Sequence, residues 1–343
     1  MKKRVLAVLM TSMLAGSCIP STVVYADSVP IVTIGHDLDE EQKNLIFKFF
    51  GVNENGVDVI EVNNEQERQY LEGLIPDEVI GTRTLSCSYI LPTTSGGIVV
   101  KTANLNWVSD GMLANALLTS GVENCQVLAT APFEVSGTGA LTGVMLAYEK
   151  SSGEELDETK KSLATEELVI TGEIVDEIKA EESDNPDNPE ENNITEEQIL
   201  ALLNDIKSEV INGKLTEERV KEILDENLQE YKIALTEEMY NKLVAYLTKL
   251  SEVDYKESIK SNLSELTDRI KGGFNINIGI DIEFKTDKNA LEQFWTNIFN
   301  WLKYLFGDIK TDAMESINIF DKVNTDVIEY DTPVEEGGAA DVK

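Results

Sequence analysis

Residues 131–150, APFEVSGTGALTGVMLAYEK, constrain the fold more than any other stretch of the chain. An apolar run ends at Phe133, a glycine-rich turn follows, and Gly139, Gly143 and Ala147 then recur every four positions. Residues four apart share a helix face, so this spacing predicts a helix with one face free of bulk, able to lie close against a sheet. Strand, tight turn and closely packed helix, in that order, belong to an α/β arrangement.

The preceding residues extend that pattern. Residues 29–34 read as a strand. Asp39 caps a helix with Gln42 at the capping-box position, and Gly51 ends it. Residues 57–62 form a second expected strand, and Asn63 or Asn64 starts a helix that stops before Pro76. Residues 82–91 and 98–107 flank a Ser-Gly-Gly turn and are expected to pair as a hairpin. Ser109 caps a further helix, ended by Gly121, and residues 125–131 form the last strand. Strand, helix and strand around residues 107–131 imply a right-handed parallel crossover. The expected class is α/β, with a mixed sheet and helices (α+β-like) in two or three layers over residues 27–180.

After Lys150 a helix is expected from about Glu154 to Ala180. Residues 181–193, EESDNPDNPEENN, read as an acidic linker with no apolar side chain to bury. They lack the glycine turn and ligand order of a calcium loop. An all-α extension follows over residues 194–306. ITEEQILALL, LTEERVKEIL and LTEEMYNKLV share one start signal, with Thr195, Thr216 and Thr236 as N-caps and two glutamates in each first turn. A fourth helix is expected over residues 253–270, making a small bundle. Residues 274–285 then alternate apolar and polar as a half-buried strand, with 317–320 as a candidate neighbour.

Residues 291–306 gather Leu291, Phe294, Trp295, Ile298, Leu302 and Phe306 on one helical face. That face is expected to be buried or to meet a partner. A membrane-surface role is disfavoured, because Lys303 is the only basic residue opposite it. Residues 307–343 read as an acidic, partly disordered tail.

Compartment and charge narrow the function. Lys2, Lys3 and Arg4, an apolar core and Val24-Tyr25-Ala26 make residues 1–26 a secretory signal peptide cleaved after Ala26. A lipoprotein signal at Cys18 is the rival, with Leu14 one position too far upstream. Loss of those three basic residues takes the net charge from −34 to −37. Such a chain repels nucleic acid and suits a secreted, extracellular life.

Candidate sites are few. His36 is the only histidine, so neither a multi-histidine zinc centre nor an ample choice of triads is available. The turn of Ser136, Gly137, Thr138 and Gly139 admits an anion- or ligand-binding reading, since free N–H groups at a helix start attract anions. Its G-x-G-x-x-x-G spacing is neither a dinucleotide fingerprint nor a P-loop. Close packing with a Ser136 or Thr138 cap is the preferred account. Arg83 either clamps a carboxylate ligand or joins a structural ion pair. Tyr89 and Trp107 either line a sugar-stacking surface or fill the core. Cys87 and Cys125, the cysteines left after cleavage, form a disulfide or remain as two buried thiols. No catalytic, metal or cofactor set emerges, although 63 acidic residues leave carboxylate chemistry open.

VIGTRTLSCSYI, NWVSDGMLANALLTSGV, APFEVSGTGALTG and ATEELVITGEI resemble, in the same order and spacing, a secreted bacterial family, domain of unknown function 1002 (YpuA-like). The resemblance covers residues 31–178. It implies export and an α/β core, and brings no activity, cofactor or catalytic residue. Small residues usually stand at the positions of Cys87 and Cys125 in that family, so it implies no disulfide. The expected function is a secreted, non-enzymatic interaction protein meeting an unknown protein or envelope component. The alternative is an envelope hydrolase or small-ligand-binding protein using carboxylates near the glycine-rich turn.

Overall fold

The structure is a computed structural model; it describes residues 29–74, 80–184 and 194–271, together with Ile319 and Val323. The strands are β1 (Ile31–Gly35), β2 (Asp58–Val62), β3 (Cys87–Pro92), β4 (Ile98–Leu105) and β5 (Cys125–Val135). The helices are α1 (Glu40–Phe49), α2 (Asn64–Leu71), α3 (Asp110–Thr119), α4 (Thr138–Ser152), α5 (Glu158–Asp184), α6 (Glu196–Val210), α7 (Glu217–Tyr231), α8 (Glu237–Ser251) and α9 (Glu257–Lys271). The class is the expected one, an α/β fold with a mixed five-stranded sheet followed by a helical extension.

The sheet order is β2-β1-β3-β5-β4. β1 runs parallel to β2, β4 parallel to β5, and β3 antiparallel to both β1 and β5. β4, α3 and β5 thus make the expected parallel crossover. The expected hairpin does not form, because β5 inserts between β3 and β4. The Ser-Gly-Gly turn is tied to the arriving strand instead. Asn124 accepts from Thr93 N through its carbonyl and from Gly97 N through Oδ1, and Cys125 N donates to Gly97 O. β3 is buried along its whole length and β4 along most of it, so burial on two faces left no alternation to show which strands were neighbours.

The caps follow the local chemistry of the sequence. Asp39 with Gln42 and Asn63 with Gln66 form capping boxes, Ser109 accepts from Met112 N, and Thr195, Thr216 and Thr236 each accept from the backbone three residues on. The start of α4 departs from expectation. Gly137 is its N-cap, at φ 90°, and no side chain caps it. Leu105 and Val108 lie 3.1–3.2 Å from where a β-carbon of residue 137 would sit, so the turn is closed by packing and by left-handed backbone.

Side chains alternate off the sheet into two cores. On the first face Ile31, Ile90, Val100, Val127 and Ala129 meet α3, α4 and α5, and the same apolar cluster continues through Leu200, Leu203, Leu247 and Leu263 of the extension. On the second face Val32, Ile34, Tyr89, Leu91, Val99 and Leu128 meet Phe47 and Phe49 of α1 and Phe50, its C-cap. The sheet therefore lies between two helical layers. α5 carries helix through Asp184, past the expected start of the linker. The expected strand at 274–285 and the amphipathic face at 291–306 lie outside the described residues, as do the cleavage site and the rest of the tail. No described helix is long and apolar enough to cross a membrane.

Candidate functional site

The glycine-rich turn stands over a buried carboxylate that sequence reading did not single out. α2 presents Glu67 and Leu71, four residues apart, on its inward face, leaving Glu67 only 2% exposed. Thr84 Oγ1 donates to Glu67 Oε2, and Thr138 Oγ1 donates to Oε1 at 3.5 Å. Thr84 is itself held from the other side, where its N–H donates to Asp37 Oδ2 at 2.7 Å. Burial pushes the Glu67 carboxyl above the usual range, the charge of Asp37 adds to this, and hydrogen bonds from Thr84, Asn64 and Thr138 oppose it. A carboxyl of this kind has the character of an acid–base group. It is also shut in. A β-carbon at Gly139 would come within 2.5 Å of Glu67 Oε1, and one at Gly143 within 2.9 Å of Thr33 Oγ1.

The other candidates distribute as follows. Ser136 is half-buried, with Oγ 3.4 Å from Thr138 Oγ1 and its carbonyl accepting from Val108 N. Arg83 is exposed, and the residue after it, Thr84, is the one that reaches the carboxylate. His36 lies at the surface with Nδ1 3.5 Å from Glu61 Oε2, while Lys43 Nζ holds Glu61 Oε1 at 2.8 Å. Tyr89 is buried on the second face against Phe50, whereas Trp107 packs on Gly172 and donates to Asp176. The two aromatics thus share no stacking surface.

Cys87 and Cys125 are buried free thiols that the fold does not bring together. Cys87 belongs to the core of the second face and Cys125 to that of the first. Cys87 is opposite Thr130 and Cys125 opposite Pro92, a stagger of five residues. That is roughly 17 Å along the strand, against the 4–7 Å between α-carbons that a disulfide needs.

Two further polar centres are buried where the extension meets the sheet helices. Asp110 is 0% exposed; Oδ1 accepts from Thr102 Oγ1 at 2.6 Å and Oδ2 lies 4.0 Å from Lys101 Nζ. Burial pushes its carboxyl up to about 7, with Lys101 and Thr102 opposing. Glu196, at the start of α6, is also raised by burial, opposed by its bond with Ser109. Deeper in, Glu167 of α5 takes Lys207 Nζ of α6 at 2.6 Å on Oε1, and Thr119 of α3 and Tyr246 of α8 on Oε2. No group of three His, Cys, Asp or Glu side chains is placed to hold a metal ion among the described residues.

The family model described as "Protein of unknown function (DUF1002)" matches residues 34–266. The chain belongs to this family. The match runs well beyond residue 178, where the resemblance in the motifs ends, and takes in the sheet and the extension as far as α9. Among curated proteins the chain is 32% identical over 283 residues to "Uncharacterized protein YpuA" of Bacillus subtilis (strain 168), covering 80% of this chain and 89% of that one. No solved structure matches. Glu67, Asp110, Glu167 and Lys207 all fall inside the family match.

Proposed function

We propose that the protein is exported and acts outside the cytoplasm as a non-enzymatic interaction protein, with its acidic helical extension meeting a partner of opposite charge. The observation that carries this reading is the outer face of α7. That helix packs on α6 and α8 and leaves Glu218, Glu222, Asp225, Glu226 and Glu230 exposed to solvent. A ridge of carboxylates on a chain of net charge −34 steers cationic surfaces toward it and repels anionic ones. The closed state of the glycine-rich turn supports the same reading, because its backbone is filled by Leu105, Val108 and Glu67.

Photo-crosslinkers at Glu222 and Glu226 in the exported protein test it. The expected result is an adduct from outside the cytoplasm that salt weakens and that charge-neutral Gln variants on the same ridge lose. The second reading, a hydrolase or ligand-binding protein, draws on the raised carboxyl of Glu67. Hydrolysis of an envelope polymer that disappears in Glu67→Gln, with the fold intact, would establish it over the first.

A further inference from the structure

Among the described residues, the second face of the sheet is broader than its helical cover. Five strands span roughly 19 Å between outer axes, whereas a helix with its side chains is about 10 Å across. α1 packs against β5 and sets Phe50 against Tyr89 of β3, with ring centroids 5.7 Å apart. Three residues cross the same face at one level. Gln126 of β5 is opposite Leu91 of β3 and also opposite Val99 of β4. Leu91 and Val99 are 6% and 2% exposed, so something lies over them.

Ile319 does. It is 0% exposed, belongs to the same apolar cluster, and its backbone N–H donates to Gln126 Oε1 at 3.2 Å. Val323 packs on the cluster beside it. The contact joins positions 193 residues apart, and it reaches beyond the family-matched region, which stops at residue 266. Gln126 is itself only 8% exposed, so its amide oxygen on this apolar face needs a donor. A backbone N–H beside a branched apolar side chain meets both demands of the site.

We propose that the second face of the sheet is a peptide-docking seat, occupied in cis by the chain's own Ile319 with Val323 packed on the same cluster. The seat recognises one apolar side chain over Leu91 and Val99 and one backbone N–H at Gln126. A partner using this face must first displace Ile319.

The test uses the full chain and the two faces of its sheet. Leu91→Cys, made with Cys87→Ala because Cys87 lies on the same face, places a thiol in the cluster that holds Ile319, while native Cys125 on the opposite face serves as the internal control. Labelling is measured under native conditions and resolved by site. Adding Ile319→Asp should speed modification at position 91 at least tenfold and leave Cys125 unchanged. A peptide of residues 312–328 should restore protection, and the same peptide carrying Ile319→Asp should not. If Ile319→Asp makes both thiols react together, the fold is lost, and the milder Ile319→Ala with the peptide decides by the same criteria. Unchanged labelling at position 91, or equal rescue by both peptides, overturns the proposal. Protection that falls on dilution, with elution as a dimer, assigns the occupant to a second copy and overturns the cis assignment.

Discussion

Gly139 and Glu67, 72 residues apart in sequence, are in contact so close that residue 139 has no room for a β-carbon, which would fall 2.5 Å from Glu67 Oε1. The stripe of small residues on α4 exists for this approach and for that of Gly143 to Thr33. Gly139→Ala is expected to lower stability by about 1–3 kcal/mol through overpacking. Glu67→Ala removes the obstructing carboxyl, so the double variant should lose clearly less than the two single losses added. Urea unfolding of the four proteins gives the coupling. Losses that add to within about 0.5 kcal/mol would show that the two positions act independently.

Asp110 gives a pH prediction whose sign is fixed. Its folded-state carboxyl titrates at about 7, against an ordinary 3.8. Between those values the folded protein holds a proton that the unfolded chain has released. Its contribution to stability is therefore complete below pH 3.8 and is lost as pH rises through 7, at up to about 1.4 kcal/mol per unit. Glu67 and Glu196, also raised, contribute slopes of the same sign. Lys101, lowered by burial, contributes a slope of the opposite sign. The difference between the native chain and Asp110→Asn reports Asp110 together with its coupling to Lys101, and the loss of stability with rising pH should be weaker in the variant from pH 4 to 7. Parallel profiles in denaturant titrations would contradict the assignment.

Both thiols should react fully in denatured, unreduced protein and hardly at all in the native state. Burial pushes the Cys87 thiol up to about 12 and the Cys125 thiol higher still, so little thiolate forms at pH 8. A protected pair after denaturation without reductant would mean that the two strands are not arranged as described.

Local chemistry made much of the fold legible. Asp39, Asn63, Ser109 and the three threonines at 195, 216 and 236 announced their helices, because a cap depends on three or four adjacent residues. The insertion of β5 between β3 and β4 was hidden, since continuous apolar runs carry no information about which strand lies beside which. Glu67 was hidden by composition, lying in the polar stretch NEQERQYL. Its i, i+4 relation to Leu71 was the available signal. Glu167 has a similar one, four residues after Leu163 and seven before Ile174 on the buried side of α5. Position on an apolar stripe marks such a carboxylate for burial. Its partners Thr84, Thr138 and Lys207 come from distant elements that no local pattern names.

The Glu167–Lys207 pair decides whether the sheet and the helical extension unfold together. Its four side chains come from α3, α5, α6 and α8, and Tyr255 adds a bond from its hydroxyl to Thr119 O. Both charged side chains are 2% exposed. Glu167→Ala strips the ammonium of its counter-charge and leaves two hydroxyls without their acceptor, a loss expected at about 3–5 kcal/mol. Replacing both charges, as Glu167→Leu with Lys207→Met, should cost less, because no buried charge is then left alone. The apolar cluster running from Val127 to Leu247 has no gap at which the two parts can separate cheaply. Native-state hydrogen exchange should therefore give the same global opening free energy for the most protected amides of β5 and α8. If α8 opens at a lower free energy than β5, the extension is a separate folding unit and the buried pair only tethers it.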